Sequence, residues 1–237
     1  MFGWKRKIEP FSLATDIHSH ILPGIDDGAE DMEVSLSILR RLSDLGLKKV
    51  WLTPHVKENI YPNTYESVSM AFNKFKKNIA ETDVNIGMDI AAEYYIGPRF
   101  IKYLESNDKL LAMKDKYLLV EISMGQEPLF IFETLYAIIE KGYTPILAHP
   151  ERYKYYHHKT DIYDKLKKHG CMFQMNLFSV AGYYGKDIRT AALQLLEGGY
   201  YDFAGTDIHN VLHLNILNDK NVRKVLNEYD FKNELLK

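Results

Sequence analysis

Histidines and carboxylates recur in this sequence at spacings that could hold metal ions. Near the start stands Asp16-Ile17-His18-Ser19-His20, and near the end Asp207-Ile208-His209. Residues two apart on a strand face the same side, so His18 and His20 can meet a single ion, and Asp207 and His209 repeat that geometry. Between them come Thr53-Pro54-His55, Ala92-Glu93, Val120-Glu121 and His149-Pro150-Glu151-Arg152. Glu93 and Glu121 close the apolar runs 86–92 and 117–120. A carboxylate there is costly to bury unless a cation or a metal compensates it. Asp26-Asp27-Gly28 has the composition of a turn, and a turn carboxylate close to His18 and His20 can still be a ligand. Imidazole with carboxylate, and no thiolate, suits Mn, Zn or Fe rather than Ca or Mg alone. Ions about 3.5–4 Å apart suit phosphoryl transfer and hydrolysis, because they ready a bridging water and draw charge from phosphate oxygens. Arg152, shortly after His149, is suited to bidentate phosphate binding.

Other chemistries find no support. Cys171 is the only cysteine. A phosphatase with a cysteine nucleophile needs an arginine six positions on, where this sequence has Leu177. Cys171 opens an apolar run, the setting of an inert core thiol, and one cysteine excludes both a disulfide framework and a zinc-thiolate cluster. No Gly-x-Ser-x-Gly elbow, Walker loop or dinucleotide fingerprint is present. The formal charge of -2 over 237 residues gives no electrostatic case for nucleic acid. No apolar run reaches the roughly 18–20 residues that span a bilayer, so a cytoplasmic protein is expected. The basic, aromatic start, residues 1–7, is read as a frayed terminus rather than a weak contact with anionic lipid.

The elements that must position these residues alternate along the chain. Strands are expected at 12–18, 49–54, 85–93, 117–123, 144–149, 172–177 and 202–207, short and apolar as buried parallel strands are. Helices are expected at 31–45, 64–79, 127–141, 161–169, 187–197 and 221–229, with Thr64 as a cap and with Gly46, Gly142, Gly170 and Gly198-Gly199 as stops. Such a series argues for one parallel α/β domain spanning 1–237. A polar or ionisable residue lies at or beside the end of each of the seven expected strands, and the carboxyl ends of parallel strands share one face, where barrel enzymes place their sites.

Taken in order, Asp-x-His-x-His, Gly-x-Asp-Asp-Gly, Thr-Pro-His, Glu, Glu-x-Ser, His-Pro-Glu-Arg, Gln-x-Asn and Asp-x-His resemble the polymerase and histidinol phosphatase (PHP) superfamily. The block from His18 through Leu22-Pro23-Gly24 to Asp26-Asp27-Gly28, with His149-Pro150-Glu151-Arg152, is similar to its bacterial manganese-dependent protein-tyrosine phosphatases of capsule and exopolysaccharide loci. The resemblance covers about residues 12–210. It implies a distorted seven-stranded (β/α)7 TIM-like barrel holding two or three ions, Mn2+ first, with Fe or Zn as alternatives. The implied ligands are His18, His20, Glu93 and Asp207 for one ion, Glu93, Glu121 and His149 for a second, and Asp27, His55 and His209 for a third. Arg152 would hold the substrate phosphate, Asp16 would orient a ligand histidine, and metal-activated hydroxide would be the nucleophile. The implied partner is a phosphotyrosine protein, a bacterial tyrosine kinase of polysaccharide export, and an oligomer is compatible with it. The alternatives are a small-molecule phosphatase of the histidinol-phosphate type and a non-enzymatic metal-binding or polymerase-accessory domain. One feature departs from the pattern: the arginine often found shortly after the last histidine is missing, and His213 stands in that stretch.

Overall fold

The computed structural model describes residues 10–106 and 108–237. The basic start, 1–7, lies outside the described residues. The elements run β1 (Thr15–Asp16), α1 (Met32–Asp44), β2 (Lys49–Leu52), β3 (His55–Val56), α2 (Tyr65–Ile79), β4 (Gly87–Ile90), β5 (Glu93–Tyr95), α3 (Pro98–Glu105), β6 (Tyr117–Glu121), α4 (Ile131–Glu140), β7 (Thr144–Ala148), α5 (Thr160–Lys168), β8 (Met172–Asn176), α6 (Leu177–Ala181), α7 (Lys186–Glu197), β9 (Phe203–Gly205) and α8 (Lys220–Glu228). All pairings are parallel and fall into two sheets, ordered β1-β2-β4 and β3-β5-β6-β7-β8-β9. No described helix is long and apolar enough to cross a membrane.

The expected strands 49–54 and 85–93 each give way to two short ones, β2 then β3 and β4 then β5, which makes nine strands among the described residues in place of seven. The first breaks at Thr53-Pro54, where Pro54 has no N–H for the ladder. The second breaks beside it, at Ala91-Ala92. Past the break His55 and Glu93 become register partners at the heads of β3 and β5, so Glu93 starts a strand rather than ending one. The expected strand 12–18 shrinks to Thr15–Asp16. The chain nevertheless continues extended, and Ser19 bridges Ile208 beyond the end of β9. At the level of β1 and β9 the Asn233 side chain fills the gap: its amide donates to Thr15 O and Ala204 O and accepts from Ala204 N.

The helices follow their sequence signals closely. Thr64 caps α2, and Ser67 returns the bond to the Thr64 N–H, a reciprocal capping box. Gly46, Gly142, Gly170 and Gly199 take the left-handed conformation at the expected stops. The helix expected from 127 begins only at Ile131. Helices α3 and α6 were not expected. Gly97-Pro98 at the start of α3 is a start signal, and α6 follows β8 directly, with Asn176 as its cap accepting from the Phe178 N–H. Helices pack outside on one large apolar cluster. A second cluster, with Ile17, Trp51, Leu119, Ile146 and Phe203, takes residues from five strand segments and is sealed by Leu236, whose carbonyl accepts the Trp51 indole N–H.

Candidate metal centre

The carboxyl ends of the strands converge on a cleft of about 510 Å³ whose lining includes Asp27, His55, Glu93, Glu121, His149 and Asp207. Two of the residues expected to bind metal hold left-handed backbone, His149 at φ 36° and Asp207 at φ 53°. That conformation costs an L-residue about 1–2 kcal/mol. It is kept because each amide is pinned to a neighbouring strand, His149 N to Gln174 O and Asp207 N to His18 O, both at 2.8 Å. The turn at Gly28 is equally constrained. A Cβ there would sit 1.9 Å from the His20 carbonyl oxygen, so only glycine lets the loop carrying Asp26 and Asp27 lie against His20.

Hydrogen bonds behind the cleft set which nitrogen each histidine offers. Gln174 donates its amide to Met175 O, so its Oε1 accepts from His18 Nδ1 at 2.8 Å and His18 turns Nε2 inward. His20 gives Nδ1–H to Asp26 at 2.8 Å, and Asp26 also accepts from the His55 and Gly28 amides. His209 gives Nδ1–H to Asp207 O. Asp207 is held from behind by Arg152 at 3.0 Å and Asn176 at 2.8 Å, both on Oδ2, which leaves Oδ1 toward the cleft. This is the arrangement in which outer partners fix the tautomer and direction of ligating groups.

The inward atoms cluster. His18 Nε2 lies 3.4 Å from both Glu93 Oε2 and Asp207 Oδ1, and His20 Nε2 lies 3.5 and 3.3 Å from the same two atoms. Glu93 Oε1 is 3.0 Å from His149 Nε2. His55 approaches Glu93 at 2.9 Å, Glu121 at 3.5 Å and Asp27 at 3.4 Å, and His209 lies 3.7 Å from Asp27. Four groups could each hold an ion: His18, His20 and Asp207; His18, Glu93 and His149; His55, Glu93 and Glu121; and His20, Asp27, His55 and His209. All nine residues expected as ligands are therefore brought together. Their partition differs from the expected one, since Glu121 groups with His55 rather than His149, and His20 also joins Asp27, His55 and His209.

The donor set fits divalent metal. His55 Nδ1 and the two oxygens within 3.5 Å of it, Glu93 Oε2 and Glu121 Oε1, are buried with no hydrogen-bond partner; His149 Nδ1 is also buried without one, while its Nε2 faces Glu93. Asp27, Glu93, Glu121 and Asp207 place four carboxylates around a cleft whose only lysine and arginine among the described lining residues are Lys57 and Arg152. The protein's own charges show the strain of that crowding. Burial alone would depress His18, but Glu93 and Asp207 push it up to about 9. Burial and then Glu93 push Glu121 up to about 7. Burial and then Arg152 hold His149 down at about 4, which keeps its imidazole neutral and able to ligate.

One expectation is corrected. Asp16 was expected to orient a ligand histidine, yet it touches no imidazole. It accepts from the Thr206 hydroxyl and amide and from the His18 amide, so it ties the first and last strands together by their backbones, and burial raises it to about 6. The rings are held instead by Asp26 and Gln174, which sequence reasoning missed. The Gln-x-Asn spacing of Gln174 and Asn176 at the end of β8 was the available signal. His213 does not replace the missing arginine. Its Nδ1 accepts from the His209 amide, its Nε2 meets the Tyr183 hydroxyl at 3.1 Å, and burial lowers its basicity. Cys171 is buried, and burial pushes its thiol up to about 12, so it is no nucleophile. Tyr153 and Tyr156 are core residues, while Tyr183 and Tyr184 line the cleft.

The family described as capsular polysaccharide synthesis, CpsB/CapC, matches residues 14–229. Tyrosine-protein phosphatase YwqE of Bacillus subtilis (strain 168) is 30% identical over 196 residues, covering 83% of this chain and 77% of that protein. A chain from the crystal structures of YwqE from Bacillus subtilis and CpsB from Streptococcus pneumoniae, described there as unique metal-dependent tyrosine phosphatases, superposes with a TM-score of 0.81 at 28% identity, covering 94% of this chain and 93% of that one. The histidinol phosphate phosphatase of Lactococcus lactis, solved with zinc, L-histidinol and phosphate, shares the fold at 11% identity and a TM-score of 0.58, covering 92% and 94%.

Proposed function

The chain belongs to the capsular polysaccharide synthesis CpsB/CapC family, and on that premise we propose that it is a metal-dependent protein-tyrosine phosphatase. The observation that carries this reading is the convergence of nine imidazole and carboxylate ligands, four of their atoms buried without hydrogen-bond partners, beneath a cleft with an arginine on its wall. The ions are Mn2+, two or three per chain, held by His18, His20, Asp27, His55, Glu93, Glu121, His149, Asp207 and His209. When bound they ready a water for attack and draw charge from the phosphoryl oxygens.

Arg152 binds the phosphoryl group. Its guanidinium lies 4.3 Å from the centre of the Tyr184 ring and 3.0 Å from Asp207, so it is oriented before substrate arrives. The rim suits an aryl ester on a protein. Ile60, Met124 and Tyr183 stand exposed around the cleft, offering apolar contact to a phenyl ring while leaving room for a peptide chain. The substrate is a phosphotyrosine protein, a tyrosine kinase of polysaccharide export, and the protein acts in the cytoplasm as a single domain.

The seven strand segments close as a distorted TIM-like barrel. The Ser19–Ile208 bridge and the Asn233 amide between β1 and β9 support that closure, as does the inner apolar cluster. The test compares kcat/KM on a phosphotyrosine peptide and on histidinol phosphate, with Mn2+ and with chelator. Metal-dependent preference for the peptide is expected. Preference for histidinol phosphate would make the protein a metabolite phosphatase, and no turnover of either would leave a metal-binding domain without this activity.

A further inference from the structure

We propose that Lys57 is the second cation of the active cleft and that it neutralises the charge developing on the departing phenolic oxygen. The proposal rests on the phosphatase reading above and adds to it the residue that makes an aryl ester a good substrate.

The cleft needs such a group. No arginine or lysine follows His209 until beyond residue 213, and His213 is committed to the His209 amide and the Tyr183 hydroxyl. Among the described lining residues, Lys57 and Arg152 alone carry permanent positive charge. They are anchored to different carboxylates. Arg152 lies on Asp207 at 3.0 Å, and Lys57 Nζ lies 3.5 Å from Glu121 Oε1. Two cations held at two separate ligands can address two different parts of one phosphate ester.

Lys57 is held ready for this. It opens a tight loop closed by reciprocal bonds, Lys57 N to Tyr61 O and Tyr61 N to Lys57 O, both 2.9 Å. Asn59 takes the left-handed turn position at φ 67°, which asparagine tolerates better than most residues. The ammonium lies 4.4 Å from the centre of the Tyr95 ring, a cation–π contact that holds it without quenching its charge. Its side chain is 28% exposed, so it is reachable by substrate.

Its position also indicates which oxygen it serves. A second cavity of about 320 Å³, lined by Tyr94, Tyr95, Phe100 and Tyr103, meets the metal cleft at Lys57 and Ile60. An aryl group leaving the metal cleft over Ile60 passes into this aromatic-walled space, and the ammonium stands at the junction. The bond from phosphorus to the water oxygen forms as the bond to the aryl oxygen breaks, and the electron pair departs on that oxygen. Lys57 keeps its proton and donates a hydrogen bond to the phenolate, which takes its proton from solvent at the mouth. Phosphate and a phenol result.

The experiment is a leaving-group series on the Mn2+-loaded protein, comparing phenyl phosphate, a phosphotyrosine peptide and 2,4-dinitrophenyl phosphate, for wild type, Lys57→Met and Lys57→Arg, with metal content measured on each. Loss of one preorganised donor to a developing charge costs on the order of a hundredfold. Lys57→Met is therefore expected to lose about that much kcat/KM on phenyl phosphate and the peptide. On the dinitrophenyl ester, whose phenolate needs little help, the loss should be about threefold or less. Lys57→Arg should restore a large part, and metal content should stay at the wild-type value. An equal loss on all three esters, no loss on any, or loss of metal would overturn the proposal. Failure of wild type to hydrolyse any ester with Mn2+ present would instead overturn the phosphatase reading beneath it.

Discussion

Replacing Arg152 by alanine separates phosphate binding from metal binding, and the structure sets what should change. Arg152 Nη1 donates to Asp207 Oδ2, but Asn176 donates to the same oxygen at 2.8 Å. Asp207 therefore keeps one partner, and its Oδ1 still faces His18 and His20. Metal content should remain that of the wild type. The missing guanidinium removes charge-assisted contacts to the phosphoryl oxygens, worth about 1.5–3 kcal/mol. At about 1.4 kcal/mol per decade, kcat/KM should fall by about ten- to a hundredfold or slightly more. Arg152→Lys should recover only part, because an ammonium makes neither the bidentate contact nor the planar stack on Tyr184. The assay is steady-state hydrolysis of a phosphotyrosine peptide beside metal analysis of the same preparations. Wild-type kinetics in Arg152→Ala would show that the phosphate is held elsewhere. Loss of metal would show that Asn176 cannot hold Asp207 alone and that Arg152 is structural.

Three further outcomes are expected. Asp26→Asn keeps the size of the side chain but removes the charge facing His20 Nδ1, so Mn2+ affinity should weaken about ten- to a hundredfold; unchanged affinity by titration calorimetry would mean that Asp26 does not set the imidazole. Cys171→Ser should leave kcat nearly unchanged, and iodoacetamide should not inactivate the native protein, since the thiol is buried and pushed up to about 12; a thousandfold loss, the scale on which removing a covalent nucleophile acts, would contradict the mechanism. Asp202 accepts from Lys167, Lys232 and the Phe173 amide, and although burial opposes its charge, these partners hold it below the usual carboxylate range. Its stabilisation is thus present above the unfolded value near about 4 and is lost as pH falls through the lower folded value. Asp202→Asn should cost about 1–3 kcal/mol in urea unfolding at pH 7, with the gap to wild type narrowing in acid; a gap that widens in acid would refute the assignment.

The candidate ligands were legible because strand chemistry writes them into spacing. His18 with His20, and Asp207 with His209, stand two apart, and Glu93 and Glu121 interrupt apolar runs where an unpaired carboxylate would be costly. How these side chains group in space was not legible: the break at Thr53-Pro54 and its neighbour at Ala91-Ala92 set His55 opposite Glu93. The edge strand β4 exposes Gly87 and Asp89 and half-buries Met88 and Ile90, and its run continues through Ala91-Ala92 with no turn residue to mark the bend, so only Pro54 hinted at a break. The residues that aim the imidazoles were harder still. Gln174 reaches His18 across 156 positions of sequence, and no local pattern encodes such a contact. Asp26 was visible but ambiguous with Asp27, because the same Asp-Asp-Gly turn supplies one carboxylate to the imidazole and the other to the cleft.

The most direct test of a metal-dependent phosphatase is to titrate Mn2+ into exhaustively chelated protein while following phosphotyrosine-peptide turnover. His55 Nδ1, Glu93 Oε2 and Glu121 Oε1 lie buried without hydrogen-bond partners, and such converging donors should be catalytically inert until ions join them. The account predicts no turnover in the metal-free protein and a rise to a plateau as the ligand groups fill. Full turnover in the metal-free protein would contradict it.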